Sequence, residues 1–304
     1  MPSVLSIGDA IIDAVELAPG KVEYFPGGAA LNLAVGIARL GLISQLVTRF
    51  GADRHGFLIE RYLREEGVRI FNPANVDFTG VALSRRKNGE PTYEFTPVMF
   101  RRRIAFTSEV LAAIGTASAV AVNSFPFDDA RQADALVAAL RQATGLVIID
   151  PNPRPRLIND MAAFRRGAEK AMAHSALVKI SDEDAALLYA GERKAAVTRL
   201  FHLGVATVLH THGADGASIH TKSGASVSAG AAPRTSPIID TMGAGDATLA
   251  TVISFILRQG MPENAGAWRD CLQEAMQVAG ATCAHAGGAL MLPVGSSLQS
   301  RANP

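Results

Sequence analysis

The stretch of this 304-residue chain that most constrains its fold lies near the middle. Ala117 to Val122 is a short apolar run, Asp128 to Gln142 has an amphipathic helical pattern, and Gly145-Leu146-Val147-Ile148-Ile149-Asp150 is a second apolar run. Strand, helix and strand at this spacing make a βαβ unit, and the crossover leaves the two strands parallel. Further runs extend the same pattern: Val4-Leu5-Ser6-Ile7-Gly8, Ser44 to Gly51, Ala176 to Ser181 and Ala206 to Thr211. The expected class is α/β, with a mostly parallel central sheet and helices on both faces. A hydrophobic content of 48% with 19% charged residues is ample for such a core, and the length suits one large domain over 1–304.

The net charge of +1 argues against nucleic acid as the main partner. No apolar run approaches the roughly eighteen residues of a membrane span. Met1-Pro2-Ser3-Val4-Leu5 runs straight into a strand, without a basic region or cleavage-type site, so the expected location is the cytoplasm. Cys271 and Cys283 are the only cysteines. Both fall on an expected C-terminal helix, twelve residues or roughly 18 Å apart, too far for a disulfide.

The chemistry concentrates at Asp240-Thr241-Met242-Gly243-Ala244-Gly245-Asp246, which opens an apolar helical run expected over 243–259. A Gly-Ala-Gly turn leaves backbone N–H groups uncovered where a helix starts, and these with the helix dipole make an anion site. Asp246 stands at its mouth. A carboxylate beside bound phosphate repels it, so affinity is not its purpose; it suits a base that takes a proton from an attacking hydroxyl. An ordinary glycine loop capped by Asp is the plainer alternative. Asp-Thr-x-Gly-Ala-Gly-Asp resembles the C-terminal signature of the ribokinase-like sugar kinases, the PfkB carbohydrate kinase family. No Gly-x-x-x-x-Gly-Lys-Ser/Thr loop is present, so a P-loop kinase is excluded.

A second signature stands near the N-terminus. Gly27-Gly28 feeds an Ala-rich helix that ends at Gly41 and carries Asn32 one turn in. Packing offers no evident reason for two adjacent glycines, whereas close approach of a small ligand does. Asn32 can both donate to and accept from hydroxyls. The segment resembles the family's di-glycine followed by Ala-x-x-Asn, with Leu31 in place of the alanine before Asn32, and Asp13 falls where these kinases hold sugar hydroxyls. Ala29 stands where ribose kinases commonly carry lysine, which tilts the resemblance toward fructose or a similar hexose.

From about 70 to 103 helical periodicity disappears. Thr79 to Ser84 and Pro91 to Thr96 flank Lys87-Asn88-Gly89-Glu90, a hairpin with an Asn-Gly turn. In the resembled family such a small sheet is a lid over the sugar and a dimer surface, which implies a homodimer. Arg101-Arg102-Arg103 follows; a charge run is ordinarily a solvated face, unless one arginine reaches an anionic substrate group. Asp150 closes its strand into Pro151-Asn152-Pro153-Arg154, a stiffened turn carrying Arg154. Asp-Pro-Asn-x-Arg resembles a motif of fructokinase-like and ketodeoxygluconate-kinase-like members.

The strand containing Lys179 ends at Ser181 and runs into Asp182-Glu183-Asp184, acids that suit the first turn of a helix. The family has Asn-x-x-Glu here, near magnesium-bound phosphates. Ser181 and Asp184 replace those two, so the resemblance implies water-mediated contact of Asp184 with Mg2+. Thr211, Gly213 and Gly216 match a Thr-x-Gly-x-x-Gly nucleotide loop. His210 and His212 share a strand face, but no third metal ligand presents itself, and a metal pair is set aside. Gln277 stands where members often place an adenine-side Asn, and that role is not carried over. Helix is expected over 263–286, and the tail from Gln299 to Pro304 is expected to fray.

Together the resemblance implies a three-layer α/β/α sandwich of the ribokinase-like kind with a small β lid, and an ATP-dependent carbohydrate kinase. It implies Asp13, Gly27, Gly28, Asn32 and Arg154 as sugar contacts, and Lys179, Ser181, Thr211, Gly213 and Gly216 as nucleotide contacts. Gly243, Ala244 and Gly245 cradle phosphate, Asp246 is the base, and Asp240 borders a K+ site. The expected acceptor is fructose or a similar hexose. A sugar acid of the 2-keto-3-deoxygluconate type and a catalytically silent sugar-binding protein are the alternatives.

Overall fold

In the computed structural model the apolar runs assemble into one nine-stranded sheet. The structure describes residues 1–304 except 19, 74–75, 88–89, 192, 233–236, 296–297 and 299–304; the Asn88-Gly89 turn and the tail therefore lie outside the described residues. The chain begins β1 (Ser3–Gly8), β2 (Ile11–Ala18), β3 (Lys21–Gly27), α1 (Ala29–Arg39), β4 (Ile43–Val47), α2 (Arg54–Glu65) and β5 (Arg69–Phe71). It continues with β6 (Val81–Lys87), β7 (Glu90–Phe95), α3 (Ser108–Thr116), β8 (Ala119–Asn123), α4 (Ala130–Leu140), β9 (Leu146–Asp150) and α5 (Met161–Met172). The last part holds β10 (Leu177–Ser181), α6 (Asp182–Tyr189), α7 (Arg193–His202), β11 (Thr207–Thr211), β12 (Ala217–Thr221), β13 (Ser226–Ala229), α8 (Ala244–Gln259) and α9 (Ala265–Cys283).

The sheet order is β13-β12-β11-β10-β9-β8-β1-β4-β5. From β11 to β5 every pairing is parallel, and β12 and β13 add an antiparallel edge. Strands covered on both faces must be apolar throughout, and all five residues of β8 are buried. Helices α3 to α7 cover one face through Val110, Leu136, Phe164, Leu188 and Leu200. Helices α1, α8 and α9 cover the other through Leu33, Ala250, Trp268 and Leu272. On the first face Phe127 meets Phe164 edge-on, centroids 5.5 Å apart, an arrangement worth about 0.5–1.5 kcal/mol beyond area burial. Cys271 and Cys283 both lie on α9 and are free thiols, as expected. Among the described residues no helix is long and apolar enough to cross a membrane.

A separate four-stranded sheet has the order β3-β2-β6-β7. The lid expected over 70–103 therefore supplies only half of it; β2 and β3, from residues 11–27, supply the rest. Residues 69–71 instead extend the main sheet beside β4. The pairing of Ile12 with Val81 spans the whole first α/β segment, and local pattern carries no trace of so distant a neighbour. Asp13 accordingly lies inside β2, opposite Phe25 and Ala82.

Strand β1 has β4 on one side and β8 on the other, so the chain reverses its direction of travel across the sheet at this point. In open parallel sheets ligands sit at such a reversal, outside the carboxyl ends of the strands.

Candidate active site

The strand ends at that reversal carry the polar residues. Asp9 follows β1, Asn123 ends β8, Asp150 ends β9, Ser181 ends β10 and Thr211 ends β11. Ser124, next after β8, takes a φ of +49°, a region that costs non-glycine residues on the order of 1 kcal/mol or more and that gathers at ligand sites.

Helix α8 starts under the Gly-Ala-Gly turn, with Gly243 as its cap at φ +75°. A Cβ on Gly243 would lie 1.9 Å from the Gly288 carbonyl oxygen, so packing alone demands glycine there. The N–H groups of Gly245 and Asp246 lie in the first turn without a backbone acceptor, while that of Ala244 makes a long 3.4 Å bond to the Thr241 carbonyl oxygen. Asp246 is buried and accepts a 3.0 Å hydrogen bond from Asn32 Nδ2. Burial, reinforced by the Asp150 charge, pushes its carboxyl up to about 7, against the pull of Lys179, Asn32 and Arg154. A carboxyl at about 7 is near the value that general-base chemistry at neutral pH asks for.

Lys179 and Asp150 form a buried ion pair at 3.1 Å. Burial pulls Asp150 toward its neutral form and Lys179 pulls it back, while Asp150, Asp184 and Asp246 hold Lys179 charged. A Cβ on Gly245 would lie 3.4 Å from Lys179 Nζ, so this ammonium lies directly beneath the anion turn. Asp150 was not among the residues expected from sequence. Nor were Asn123, which donates to Asp150 at 3.4 Å, and Ser124. Asn32 Oδ1, Asn123 Oδ1, Ser124 Oγ and Asp150 Oδ1 are buried without a hydrogen-bond partner. So many unsatisfied polar atoms in one region require a ligand or solvent to satisfy them.

Asp13 is half-buried, and burial together with Asp9 raises its carboxyl to about 7, with Arg154 opposing and Asp240 assisting. The di-glycine has a reason that the sequence did not show. A Cβ on Gly27 would lie 1.9 Å from Asp13 Oδ2, and one on Gly28, at φ +106°, would lie 2.8 Å from the Asp9 carbonyl oxygen. Both glycines thus let β2 and the end of β1 pass close by, and Asp9 caps α1 by accepting from Ala30 N–H at 3.2 Å. Gly216 follows the same logic, since its Cβ would lie 2.1 Å from the Ala229 carbonyl oxygen, whereas Gly213 faces open space.

Ser181 and Asp184 form a capping box on α6: Ser181 Oγ accepts from Asp184 N–H at 3.0 Å, and Asp184 Oδ2 accepts from Ser181 N–H at 2.8 Å. Their spacing is a capping signature that could have been read directly from the sequence. Asp240 ties two loops together, its oxygens accepting from Met242 N–H at 2.9 Å and Gly287 N–H at 3.2 Å.

The arginine run divides. Arg103 pairs with Asp129 at 3.0 Å on the surface, and Arg101 is exposed. Arg102 turns inward, where burial lowers its pKa, and donates to the Ser124 carbonyl oxygen at 3.2 Å. It lines a cavity with Asp9, Ile11, Arg49, Phe78 and Ser124, between the end of β1 and the small sheet. Arg154 is exposed at the rim, within electrostatic reach of Asp13, Asp150 and Asp246.

The sequence pattern described as pfkB family carbohydrate kinase matches residues 1–294. The chain belongs to this family. This carbohydrate kinase is 29% identical over 309 aligned residues to the fructokinase of Klebsiella pneumoniae, covering 96% of this chain and 97% of that one, which puts it in the fructokinase-like branch. Among solved structures it is similar to the fructokinase of Vibrio cholerae O395 in its fructose, ADP and calcium ion bound form. The TM-score is 0.80 at 23% identity, covering 99% of this chain and 98% of that one. The aminoimidazole riboside kinase of Salmonella enterica, complexed with aminoimidazole riboside and an ATP analog, gives 0.78 at 23% identity over 99% of both chains. At that identity both likenesses speak for the fold, the expected three-layer ribokinase-like sandwich.

Proposed function

We propose that this kinase transfers the γ-phosphate of ATP to a hydroxyl of a small sugar, fructose or a similar hexose, with Asp246 as the base. The observation that supports this most is the position of Asp246: buried, raised to about 7, in the first turn of α8 beside the open Gly245 amide, with Lys179 beneath. Asp13 accepts sugar hydroxyls and the free Asn32 Oδ1 a further one, while Asn32 Nδ2 holds the base in place. ATP lies along Ser181, Thr211, Gly213 and Gly216, on the side of β11 away from the His210 and His212 side chains. The amides of Ala244 to Asp246 and the Lys179 charge stabilise the phosphoryl group as it moves. Oxygen donors fit the accompanying Mg2+: Asp150 Oδ1 has no partner, and Asp184 turns only Oδ2 onto its cap. That ion, when bound, neutralises phosphate charge. A K+ beside Asp240 shares its oxygens with the two amides already there.

A coupled ADP-release assay over fructose, other hexoses, sugar acids and nucleosides tests this reading; it is wrong if no sugar supports turnover above ATP hydrolysis alone. Asp13→Ala is expected to weaken fructose binding by about 10- to 150-fold, because each hydrogen bond to a charged acceptor contributes about 1.5–3 kcal/mol, and to leave ATP binding nearly intact. Equal losses for both ligands in calorimetry mean that Asp13 is structural.

One observation favours a second acceptor class. Arg102 makes no ion pair within 4.0 Å among the described residues, although the charges of Asp9 and Asp128 reach it, and it shares its cavity with Arg49, whose pKa burial also lowers. A sugar acid would bring a carboxylate into direct contact, which a planar guanidinium binds in paired fashion. With fructose as substrate, Arg102→Ala and Arg154→Ala each keep fructose turnover within about tenfold of wild type. Wild-type turnover of 2-keto-3-deoxygluconate without fructose, lost in either variant, selects the acid.

We also propose pairing of two copies through the small sheet, whose outer strands β3 and β7 have open edges. Sedimentation at micromolar concentration should return twice the chain mass; a single-chain mass excludes it.

A further inference from the structure

We infer that Asp182, His210 and His212 form a binding site for one transition-metal ion of the zinc class, distinct from the groups that serve sugar and nucleotide. The sequence offered the two histidines without a third ligand, and the fold supplies it. Strand alternation turns His210 and His212 to the face opposite Thr211. Strands β10 and β11 are in register with Ser181 opposite Thr211, so the next residue, Asp182, arrives alongside the imidazoles. Asp182 Oδ1 lies 3.0 Å from His210 Nε2 and 3.0 Å from His212 Nδ1. All three ligand atoms lie within 4.8 Å of one another.

A metal-free hydrogen-bond network explains only part of this. His212 Nδ1 can donate to Asp182 Oδ1. His210 is 1% exposed, and its Nε2 has no hydrogen-bond partner, because the contact with Asp182 lacks hydrogen-bond geometry. A buried nitrogen aimed at a carboxylate without a bond is destabilising unless something sits between them. A metal ion does so: donors about 2.1 Å from a shared ion stand roughly 3.0–3.4 Å apart at ordinary coordination angles.

The surroundings orient the ligands as metal sites require. His212 Nε2 lies 2.9 Å from Ser218 Oγ, and that hydroxyl lies 3.0 Å from His220 Nε2. Arg193 holds the other carboxylate oxygen, Asp182 Oδ2, at 2.5 Å, which fixes Oδ1 toward the imidazoles. Its positive charge lowers the affinity of the site, while its bond to Oδ2 leaves the ligand oxygen uncovered. Two imidazoles and one carboxylate suit zinc, cobalt or nickel, whereas magnesium takes oxygen donors. The ion would clip the start of α6 to the end of β11.

The test uses the full chain, stripped with chelator and titrated with Zn2+ against a competing indicator. One Zn2+ per chain is expected, undisturbed by millimolar Mg2+, and Zn2+ at 100 times its dissociation constant should raise the folding equilibrium constant about 100-fold. His212→Ala and His210→Leu should each weaken binding by at least about tenfold. Leu fills the buried site without a polar atom, and circular dichroism checks that each variant is folded. Absence of stoichiometric Zn2+ binding in the wild type overturns the inference, as does binding that survives unchanged in both folded variants.

Discussion

Asp246→Asn is expected to lower kcat by about 10²- to 10⁴-fold while the KM values for sugar and ATP change little. The amide keeps the shape of the carboxylate in the first turn of α8 and can still meet Asn32, but it cannot take a proton. The pH dependence gives an independent reading. A base acts in its deprotonated form, and burial places the Asp246 carboxyl at about 7, so kcat should fall as the pH drops below about 7 and level off above it. Asp13 is also raised to about 7 and must be ionised to accept sugar hydroxyls most strongly. kcat/KM for the sugar should therefore fall more steeply on the acid side than kcat does, two protons against one. A variant with wild-type kcat, or a flat wild-type profile from about pH 5.5 to 8, removes Asp246 from its role.

The largest expected loss of stability comes from Lys179→Met. Lys179 and Asp150 are 8% and 0% exposed and 3.1 Å apart. Removing one partner of a buried pair leaves the other charge without compensation, at about 3–5 kcal/mol. Protonation of Asp150 absorbs part of this, since burial already pushes that carboxyl upward. Lys179→Met combined with Asp150→Asn should recover much of the loss, because no charge is then stranded, yet turnover should stay low without the ammonium under Gly245. Chemical denaturation of the two single variants and the double variant closes the cycle. Additive losses, with no recovery in the double variant, mean that the two groups do not act as a pair.

What could be read from the sequence followed how local each cause is. The heptapeptide ending at Asp246 was legible because turn, amides and carboxylate lie within one helical turn. The parallel core was legible because strand, helix and strand succeed one another. The hairpin of the small sheet was legible, but β2 and β3 were not, because Ile12 pairs with Val81 across a long stretch of chain. Gly27 and Gly28 were assigned to ligand approach, whereas Asp13 and Asp9 already fill that space. Asp150 looked like an ordinary strand end, since only packing shows that Lys179 reaches it. No pattern within Arg101-Arg102-Arg103 shows which side chain turns inward; the neighbouring strand end at Ser124 decides it.

The hydrogen bond from Asn32 to Asp246 joins residues 214 positions apart. Closing so long a loop costs about 3 kcal/mol more than closing one of ten residues, a cost that the packing of α1 on α8 has to offset. Asn32 leaves the ribosome long before Asp246, and β1 must wait for β8 before it has neighbours on both sides. In a chain made from its N-terminus, the contact that ties α1 to α8 is therefore among the last that can form.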